Sequence, residues 1–338
     1  MSISCKIVVC IFIVACSSNS LTAQNITILT SGTKISLRGL SVVDDRIIWV
    51  SGSNGTVGKS VDSGHTFKWM TVKNMEQTDF RDIEAFDENT AVIMGIATPA
   101  HILRTIDGGE NWQIVFEDST KGMFLDAMDF MNDKEGIVIG DPIDGQFFIA
   151  KTQDGGQHWK NISSKIKVLA DSGEACFASS GTNITYLNKK EIVCVSGGSS
   201  SNIFIHNKKI RLPIMQGTTS TGANSIAVKN KNNMIVVGGD FNAKNSSFKN
   251  CFITNDGAKS WLSPTIPPKG YRSCVAYLSN KDWISCGLTG VDYSKDDGIT
   301  WKGISQQSFH IVKKGKKGSS IFFAGTGGVI GKLVPTFN

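Results

Sequence analysis

Short segments that alternate apolar and polar residues recur along the chain about every 45 residues. Alternation with a period of two is typical of β-strands that bury one face. In each unit a second apolar strand ends in glycine, and these strands are predicted at Ile47–Gly52, Ala91–Gly95, Gly136–Gly140, Ile192–Gly197, Met234–Gly239, Trp283–Gly287 and Ile321–Gly325. First strands are predicted ahead of them, near residues 36–43, 80–86, 124–130, 174–180, 222–228, 271–278 and 309–313. A period in the forties is typical of the four-stranded blades of a β-propeller.

The motif Ser/Thr-x-Asp-x-Gly-x-x-aromatic occurs five times, once in each of five units. Its aspartates are spaced by 45, 47, 102 and 40 residues, and 102 is close to two periods, so one unit has lost the motif. That unit is blade four, near residues 174–214. The residues of the motif with a predicted structural role are Asp62, Gly64, Phe67, Asp107, Gly109, Trp112, Asp154, Gly156, Trp159, Asp256, Trp261, Asp296, Gly298 and Trp301.

The motif fits a hairpin between the third and fourth strands of a blade. We expect its aspartate to accept main-chain N–H bonds, its glycine to allow positive φ, and its Ser/Thr to tie down the turn. The aromatic residue is expected to bury against the next sheet. In blade five Ala258 stands where glycine is expected, so we expect Gly257 to be used differently there. None of these aspartates is predicted to be catalytic.

The units add up to an all-β fold, one seven-bladed propeller over residues 24–338. The blades are predicted near residues 36–72, 80–117, 124–163, 174–214, 222–266, 271–305 and 309–334. The last of them has only three strands. Residues 26–31, ahead of blade one, are predicted to supply its fourth strand and thereby to close the ring and cover a sheet edge.

Residues 1–23 have the features of an export signal, with Lys6 ahead of an apolar run at Ile7–Ala15 that is too short to span a bilayer. Two processing sites remain open: cleavage after Ala23, or lipidation of Cys16. Either one places the folded part outside the cytoplasm, in the periplasm, on the cell surface or secreted. Later in the chain no apolar run of 18 residues follows, so a polytopic membrane protein is excluded.

Composition agrees with a turn-rich fold, because 35 of 338 residues are glycine against a usual proportion of about 7%. The net charge of +6 is mild, and the one dense basic run is interpreted as a solvated hairpin tip rather than a nucleic-acid site. We expect a monomer without metal or cofactor. Five cysteines lie beyond the leader and are predicted to be buried thiols, with cross-strand disulfides Cys176–Cys194 and Cys274–Cys286 left open and Cys251 unpaired. The basic run consists of Lys313, Lys314, Lys316 and Lys317.

The repeated motif resembles the Asp-box, or BNR repeat, of sialidase-type propellers and sortilin-type receptors. That resemblance implies boxes at the outer hairpins, away from the ligand face. Over residues 26–334 the chain is similar to the photosystem II assembly and stability factor family and its exported relatives in non-photosynthetic, Bacteroidetes-type bacteria. The shared segments are 38–43, 49–59, 140–145 and 174–184. The resemblance implies a non-catalytic protein-binding scaffold. Some relatives carry the label oxidoreductase, but the chain has no nucleotide, flavin or haem motif to support it.

A candidate site follows from aligning the first strands on their leading aromatic residue. Arg81 follows Phe80, Arg272 follows Tyr271 and His310 follows Phe309. Arg38 falls in the same column, ahead of Gly39. We predict that Arg38, Arg81, Arg272 and His310 form a cationic patch at one mouth of the channel, which binds a carboxylate or an acidic partner. The alternative is that each arginine pairs with a nearby acid. Asp141, Asp144 and Asp240 follow second strands and are first of all turn residues.

A sialidase-like glycosidase is the alternative function. It needs an arginine triad, a tyrosine nucleophile beside a glutamate, and an acid–base aspartate. The arginine column could mimic the triad, but none of the four tyrosines has a glutamate beside it in blade position. The segment Ile210–Pro213 is similar to the sialidase Arg-Ile-Pro motif, yet it lies late in blade four. We therefore expect no glycosidase activity, and measured hydrolysis would decide the question.

Overall fold

The computed structural model describes residues 24–166 and 168–335. The predicted export signal, including Cys16, lies outside the described residues. Seven antiparallel sheets form a seven-bladed β-propeller, as predicted. Among the described residues the one helix is a single turn, and no helix could cross a membrane.

In blades one to six the main strands follow each other in chain order from the innermost to the outermost position. The chain begins with β1 (Gln24–Thr30). Blade one comprises β2 (Leu37–Val42), β3 (Ile48–Gly52), β4 (Thr56–Ser60) and β5 (Lys68–Thr71). Blade two comprises β6 (Phe80–Ala85), β7 (Ala91–Gly95), β8 (Ala100–Thr105) and β9 (Gln113–Asp118). Blade three comprises β10 (Leu125–Phe130), β11 (Gly136–Ile143), β12 (Gln146–Thr152) and β13 (Lys160–Asn161).

The second half of the ring is less regular. After α1 (Ser163–Ile166), blade four comprises β15 (Ile184–Tyr186), β16 (Ile192–Val195), β18 (Asn202–Ile205) and β19 (Lys208–Arg211). The short strands β14 (Glu174–Ala175) and β17 (Gly197–Gly198) pair with each other, and β17 pairs with β20 of blade five. Blade five comprises β20 (Thr221–Val228), β21 (Met234–Asp240) and β22 (Cys251–Thr254). Blade six comprises β23 (Cys274–Ser279), β24 (Asp282–Gly287), β25 (Gly290–Ser294) and β26 (Lys302–Ser305). Blade seven comprises β27 (Ile311–Lys314), β28 (Ile321–Ala324) and β29 (Ile330–Pro335).

The N-terminal strand completes blade seven, as predicted. Strand β1 pairs antiparallel with β29, from Gln24 opposite Pro335 to Thr30 opposite Ile330. The side chains of Ile26 and Leu29 pack against a buried cluster that spans blades six, seven and one. The ring is therefore closed by hydrogen bonds between the two ends of the described chain.

The hairpin motif has the predicted internal bonds. In the first copy Ser60 Oγ donates to Asp62 Oδ1 at 2.8 Å and accepts the Gly64 N–H at 2.9 Å, while Asp62 Oδ1 accepts the Thr66 N–H at 2.9 Å. The other four copies repeat the bonds of the aspartate to the Ser/Thr two residues earlier and to the N–H four residues later.

The aromatic ring of each motif packs against the preceding blade rather than the next one. Trp112 of blade two meets Trp49 of blade one edge-on, with ring centroids 6.4 Å apart. Trp301 of blade six likewise lies in a cluster with Ile235 and Ile253 of blade five. Because each strand-three hairpin leans back onto the earlier blade, the motif joins neighbouring sheets as well as forming its own turn.

Blade five keeps the turn despite its missing glycine. Ala258 adopts φ +68° and Gly257 φ +73°, close to the values at Gly109 and Gly108, and the Ala258 N–H still donates to Thr254 Oγ1 at 2.9 Å. The expectation that Gly257 is used differently was therefore wrong. The fourth strand of this blade is reduced to one bridge between Ile253 and Leu262.

Three other predictions are corrected or tested by the fold. The innermost strand of blade four is β15, not residues 174–180. The lysine run is only half in a hairpin tip: Lys316 and Lys317 are exposed in the turn between β27 and β28, as predicted. Lys313 and Lys314 instead lie on the inner strand β27, and Lys314 Nζ donates to Leu278 O at 2.6 Å. All five described cysteines are buried free thiols, with Cys274 directly opposite Cys286 across β23 and β24. Their burial matches the prediction.

Candidate functional site

A β-bulge at the start of the inner strands determines which side chains face one mouth of the channel. The pairing register shifts around Arg38 in blade one, Arg81 in blade two, Asp126 in blade three and Asn224 in blade five. A bulge leaves one extra residue outside the ladder and re-aims its side chain. These residues therefore occupy equivalent positions around the ring.

Blades six and seven extend the same column. The Ser273 N–H donates to Cys286 O at 3.0 Å, and the His310 N–H donates to Ala324 O at 2.8 Å. Cys286 and Ala324 each precede the glycine at the end of the second strand of their blade, Gly287 or Gly325, so Ser273 and His310 are equivalent to each other. The column thus consists of Arg38, Arg81, Asp126, Asn224, Ser273 and His310.

Arg272 does not belong to this column, which corrects the predicted patch. Its side chain is 1% exposed and its Nε donates to Asp292 Oδ2 at 2.8 Å, forming a buried ion pair within blade six. Sequence alignment on the leading aromatic misplaced it by one residue, because Tyr271 lies one position earlier than Phe80 does. A slip of one residue turns a side chain to the other face of the strand.

All members of the column except Asp126 line a cavity of about 480 Å³, here called the mouth cavity. Arg38, Arg81 and His310 all line it, so three of the four predicted residues are brought together. Asn224 and Ser273 line it as well and were missed by the sequence analysis. The other lining residues are Phe124, Asp141, Ala175, Cys176, Phe177, Ala178, Ser179, Phe241, Tyr271 and Leu288.

The two arginines differ in how far their charge is compensated. Arg81 Nε donates to Asp79 Oδ2 at 2.8 Å in a half-buried ion pair. Arg38 makes no ion pair with any described residue, and its one hydrogen bond, from Nη1 to Ser179 O, is 3.4 Å long. Burial, and then repulsion from Arg81, lower the pKa of Arg38 from its usual value. Arg38 is therefore a partly desolvated cation beside a second cation.

Residues 175–179 cross the mouth between blades three and five and form one wall of the mouth cavity. The Cys176 N–H donates to Asp141 Oδ1 at 2.9 Å, and Arg81 Nη1 donates to Ala178 O at 3.4 Å. Burial raises the pKa of Asp141. The sequence pattern of this segment resembles a strand, which is why it was predicted to be the inner strand of blade four.

His310 contributes a neutral imidazole rather than a cation. Burial, followed by the charges of Arg38 and Arg81, lowers the pKa of His310 to about 3. Its Nε2 lies 2.8 Å from Thr326 Oγ1, within hydrogen-bonding distance. The positive charge of the mouth cavity therefore comes from the two arginines alone.

Tyr271 is positioned but not activated. Its hydroxyl donates to Asn224 Oδ1 at 2.7 Å, and burial raises the pKa of Tyr271 to about 12. The described residues that line the mouth cavity include no glutamate. The arrangement lacks the tyrosine–glutamate pair and the third arginine of a sialidase centre. Among the described residues there is also no group of three metal-ligating side chains.

Two buried carboxyl groups, those of Asp126 and Asp82, belong to the inner strands near the mouth cavity but do not line it. Burial, and then the neighbouring Asp141, raise the pKa of Asp126 well above its usual range. Burial likewise raises the pKa of Asp82, whose Oδ2 accepts the Met128 N–H at 2.7 Å. These carboxyl groups are enclosed, so they do not offer a negative surface to a ligand in the mouth cavity.

Comparison with known proteins gives the same answer for the fold. A family model described as photosynthesis system II assembly factor YCF48 matches residues 69–180. The solved structure "YCF48 bound to D1 peptide" is 16% identical, covers 94% of this chain and 99% of its own, and has a TM-score of 0.65. YCF48 from Cyanidioschyzon merolae is 17% identical, with coverages of 92% and 99% and a TM-score of 0.66. No curated protein matches the chain.

The similarity in fold extends to a WD40 propeller. The WD40 propeller domain of Doa1 is 14% identical over 93% of this chain and 97% of its own, with a TM-score of 0.64. Fold and repeats thus define a seven-bladed Asp-box β-propeller. Within that class, residues 69–180 match the YCF48 family model, and the chain is similar in fold to the solved YCF48 structures.

Proposed function

We propose that this chain is an exported, non-catalytic scaffold whose mouth cavity holds a carboxylate-bearing segment of a protein partner. The observation that carries this proposal is the uncompensated Arg38 guanidinium beside Arg81. A buried charge is costly unless an opposite charge or hydrogen bonds compensate it, and a ligand carboxylate would supply both. Two planar guanidinium groups at one site also match carboxylate geometry.

The rest of the mouth cavity fits a short peptide segment. Phe124, Phe177 and Phe241 provide apolar walls, while Asn224 and Ser273 provide polar groups beside the arginines. A cavity with apolar walls and a few converging polar groups is the usual form of a specific binding site. A solved structure of similar fold is titled "YCF48 bound to D1 peptide", which supports a protein ligand for a propeller of this kind.

The test compares peptides that differ only at the carboxyl terminus. Fluorescein-labelled peptides with a free carboxylate and with a terminal amide are titrated with the protein, and binding is followed by fluorescence anisotropy. We expect the free-acid peptides to bind more tightly, and Arg38→Gln to weaken them by about tenfold to a hundredfold, since a charge-assisted hydrogen bond contributes about 1.5–3 kcal/mol.

The matched control is Arg46→Gln, which removes the same charge from an exposed side chain outside the mouth cavity. We expect it to leave binding within about twofold, as is usual for solvent-exposed charges. Equal loss in both variants, or equal binding of the acid and amide peptides, would refute a carboxylate site at the mouth. Fractionation of the native host would test export separately, because a cytoplasmic pool of uncleaved chain contradicts it.

The glycosidase alternative predicts hydrolysis of a fluorogenic sialoside or aryl glycoside that is abolished by Tyr271→Phe. We expect no hydrolysis, because the Tyr271 hydroxyl donates to Asn224 and its pKa is raised. A nucleophile needs a lowered pKa or an adjacent base.

A further inference from the structure

The positive charge of the chain is concentrated in one stretch rather than spread evenly. Residues 205–281 contain eleven Lys and Arg but only two Asp and Glu, whereas the rest of the chain contains 24 basic and 27 acidic residues. This stretch covers the outer hairpin of blade four, all of blade five and the inner strand of blade six. The sequence-wide value of +6 conceals a strongly basic sector of the ring.

Part of that sector forms a groove of about 740 Å³ along the seam between blades four and five, here called the lateral groove. Its lining residues come from three segments: Ile210–Gln216, Phe248–Lys249 and Lys259–Trp261. The first includes Arg211, which belongs to the segment that is similar to a sialidase motif. The lateral groove is separate from the mouth cavity, since the two share no lining residue.

Three exposed cations line the lateral groove: Arg211, Lys249 and Lys259. None of them makes an ion pair with another described residue, and no acidic residue lines the groove. The nearest acid in the flanking segments is Asp256, whose Oδ1 accepts the Ser260 N–H at 2.9 Å and whose Oδ2 accepts the Ser260 hydroxyl at 2.6 Å. The charge of the lateral groove is therefore uncompensated.

Apolar and aromatic side chains line the lateral groove together with these cations. The Phe248 ring is 63% exposed, and the ammonium of Lys249 lies 5.4 Å from its centroid. Trp261 is half-buried, and its indole N–H has no hydrogen-bond partner among the described residues. The indole N–H of the equivalent Trp159 is also without a partner among the described residues, whereas those of Trp112 and Trp301 donate to carbonyl oxygens within their own turns.

An open main-chain edge runs beside the lateral groove. Strand β19 is the outermost strand of blade four, and its residues Ile210 and Arg211 line the groove. In blade five the facing outer strand is reduced to the single bridge at Leu262. An exposed strand edge can accept an extended peptide as an additional strand, with side-chain pockets providing specificity.

From charge complementarity we infer that the lateral groove binds an extended acidic segment of a protein partner, one that alternates carboxylates with aromatic or large apolar side chains. The carboxylates would meet Arg211, Lys249 and Lys259, and the apolar side chains would cover Phe248 and Trp261. A polyanionic glycan or nucleic acid would satisfy the charges but leave the apolar lining without a partner, so a peptide fits better.

The test uses a fluorescein-labelled peptide that alternates glutamate with phenylalanine, titrated with the full chain. We expect Arg211→Glu/Lys249→Glu/Lys259→Glu to weaken binding by about tenfold or more, because like charges placed opposite each other repel at an interface. The matched control, Lys73→Glu/Lys121→Glu/Lys134→Glu, makes the same change in net charge at exposed lysines elsewhere. It should change affinity by about twofold or less, and thermal unfolding should confirm that both variants fold.

Further arms separate the possible causes of binding. Phe248→Ala should weaken binding of the peptide. A peptide in which every glutamate is replaced by glutamine should also bind poorly. Arg38→Gln/Arg81→Gln should bind it normally, because the mouth cavity is not involved. Equal loss in both charge-reversal variants, equal binding of polyglutamate, or dependence on Arg38 would each overturn the assignment. Failure of the carboxyl-terminal peptides at the mouth cavity would not affect it.

Discussion

At the scale of single residues, Arg272 and Arg38 show how burial decides what a charge does. Arg272 is enclosed with Asp292 and also donates from Nη1 to Thr289 Oγ1 at 2.8 Å. It stabilises the connection between β23 and β25. Arg38 has no carboxylate partner among the described residues and faces the mouth cavity. Two arginines that look alike in the sequence are therefore a structural ion pair and a candidate ligand group.

We predict that the folded state depends strongly on the buried Arg272–Asp292 ion pair. We expect Asp292→Asn to lower the free energy of unfolding by about 3–5 kcal/mol, because it leaves a buried guanidinium without its counter-charge. The measurement is urea unfolding followed by tryptophan fluorescence. The matched control is Glu110→Gln, which breaks the exposed Lys68–Glu110 pair and should cost at most about 1 kcal/mol. Similar costs for the two variants would contradict a structural role for the buried pair.

We predict that the folded chain loses stability in acid, because the Asp-box carboxylates become protonated. Hydrogen bonds, chiefly from the residue four positions later, lower the pKa of Asp62, Asp107 and Asp256 to about 2. The usual value in an unfolded chain is about 3.9. Since the folded-state pKa is depressed, the stabilisation is complete above about pH 4 and is lost as the pH falls toward about 2.

Thermal unfolding of the native chain and of Asp107→Asn across this range would measure the effect. We expect the variant to have the lower Tm near neutral pH and the difference between the two chains to shrink as the pH falls through the window from about 4 to about 2. A difference that stays constant with pH would mean that the Asp107 carboxylate contributes no charge-dependent stabilisation.

At the scale of the strand, the pairing of β1 with β29 makes the chain ends part of the fold. Leu29 packs inward against the cluster around Phe322 and lies close to Gly64 of the first Asp-box, whereas the adjacent Ile28 is 42% exposed. These neighbouring residues therefore provide a matched pair for measuring what closure of the ring contributes.

We expect Leu29→Ala to cost about 1–3 kcal/mol of unfolding free energy, the amount associated with burying a leucine side chain. Ile28→Ala should stay within about 0.5 kcal/mol, as is usual for surface substitutions. Denaturant unfolding with light scattering would record both the stability and any association through an uncovered β29 edge. Equal costs at the two positions would argue against inward packing of β1.

Strand positions were predictable from the sequence, but the bulges were not. Periodicity and the five Asp-boxes gave the number of blades and the strand that completes blade seven. The alignment of the inner strands at the mouth was wrong by one residue in blade six, because Tyr271 does not occupy the position that Phe80 occupies in blade two. The glycine after each second strand is a better marker. Gly52, Gly140 and Gly287 each pack against the main chain of the inner strand. A Cβ there would lie within 2.5 Å of a carbonyl oxygen, and that carbonyl belongs to the residue two positions before the column residue.

At the scale of the whole molecule, what the sequence could not show was which loops meet across the ring. Residues 175–179 alternate like a strand, yet they cross the mouth because Asp141 and Arg81 from blades three and two hold their main chain. The excess of basic residues could be counted in the sequence. The lateral groove could not be predicted, because it forms only where blades four and five meet. Long-range contacts of this kind leave no local pattern.

The direction of β1 also has a consequence for how the ring would be presented. Strands alternate in direction across each blade, so β1 runs from the Asp-box face, where Gln24 lies, toward the face that carries Arg38. A tether attached ahead of Gln24, whether a lipid or a fused domain, would hold the ring by its rim on the Asp-box side. The mouth cavity would then point away from the supporting surface. The lateral groove, on the side of the ring, would face parallel to that surface.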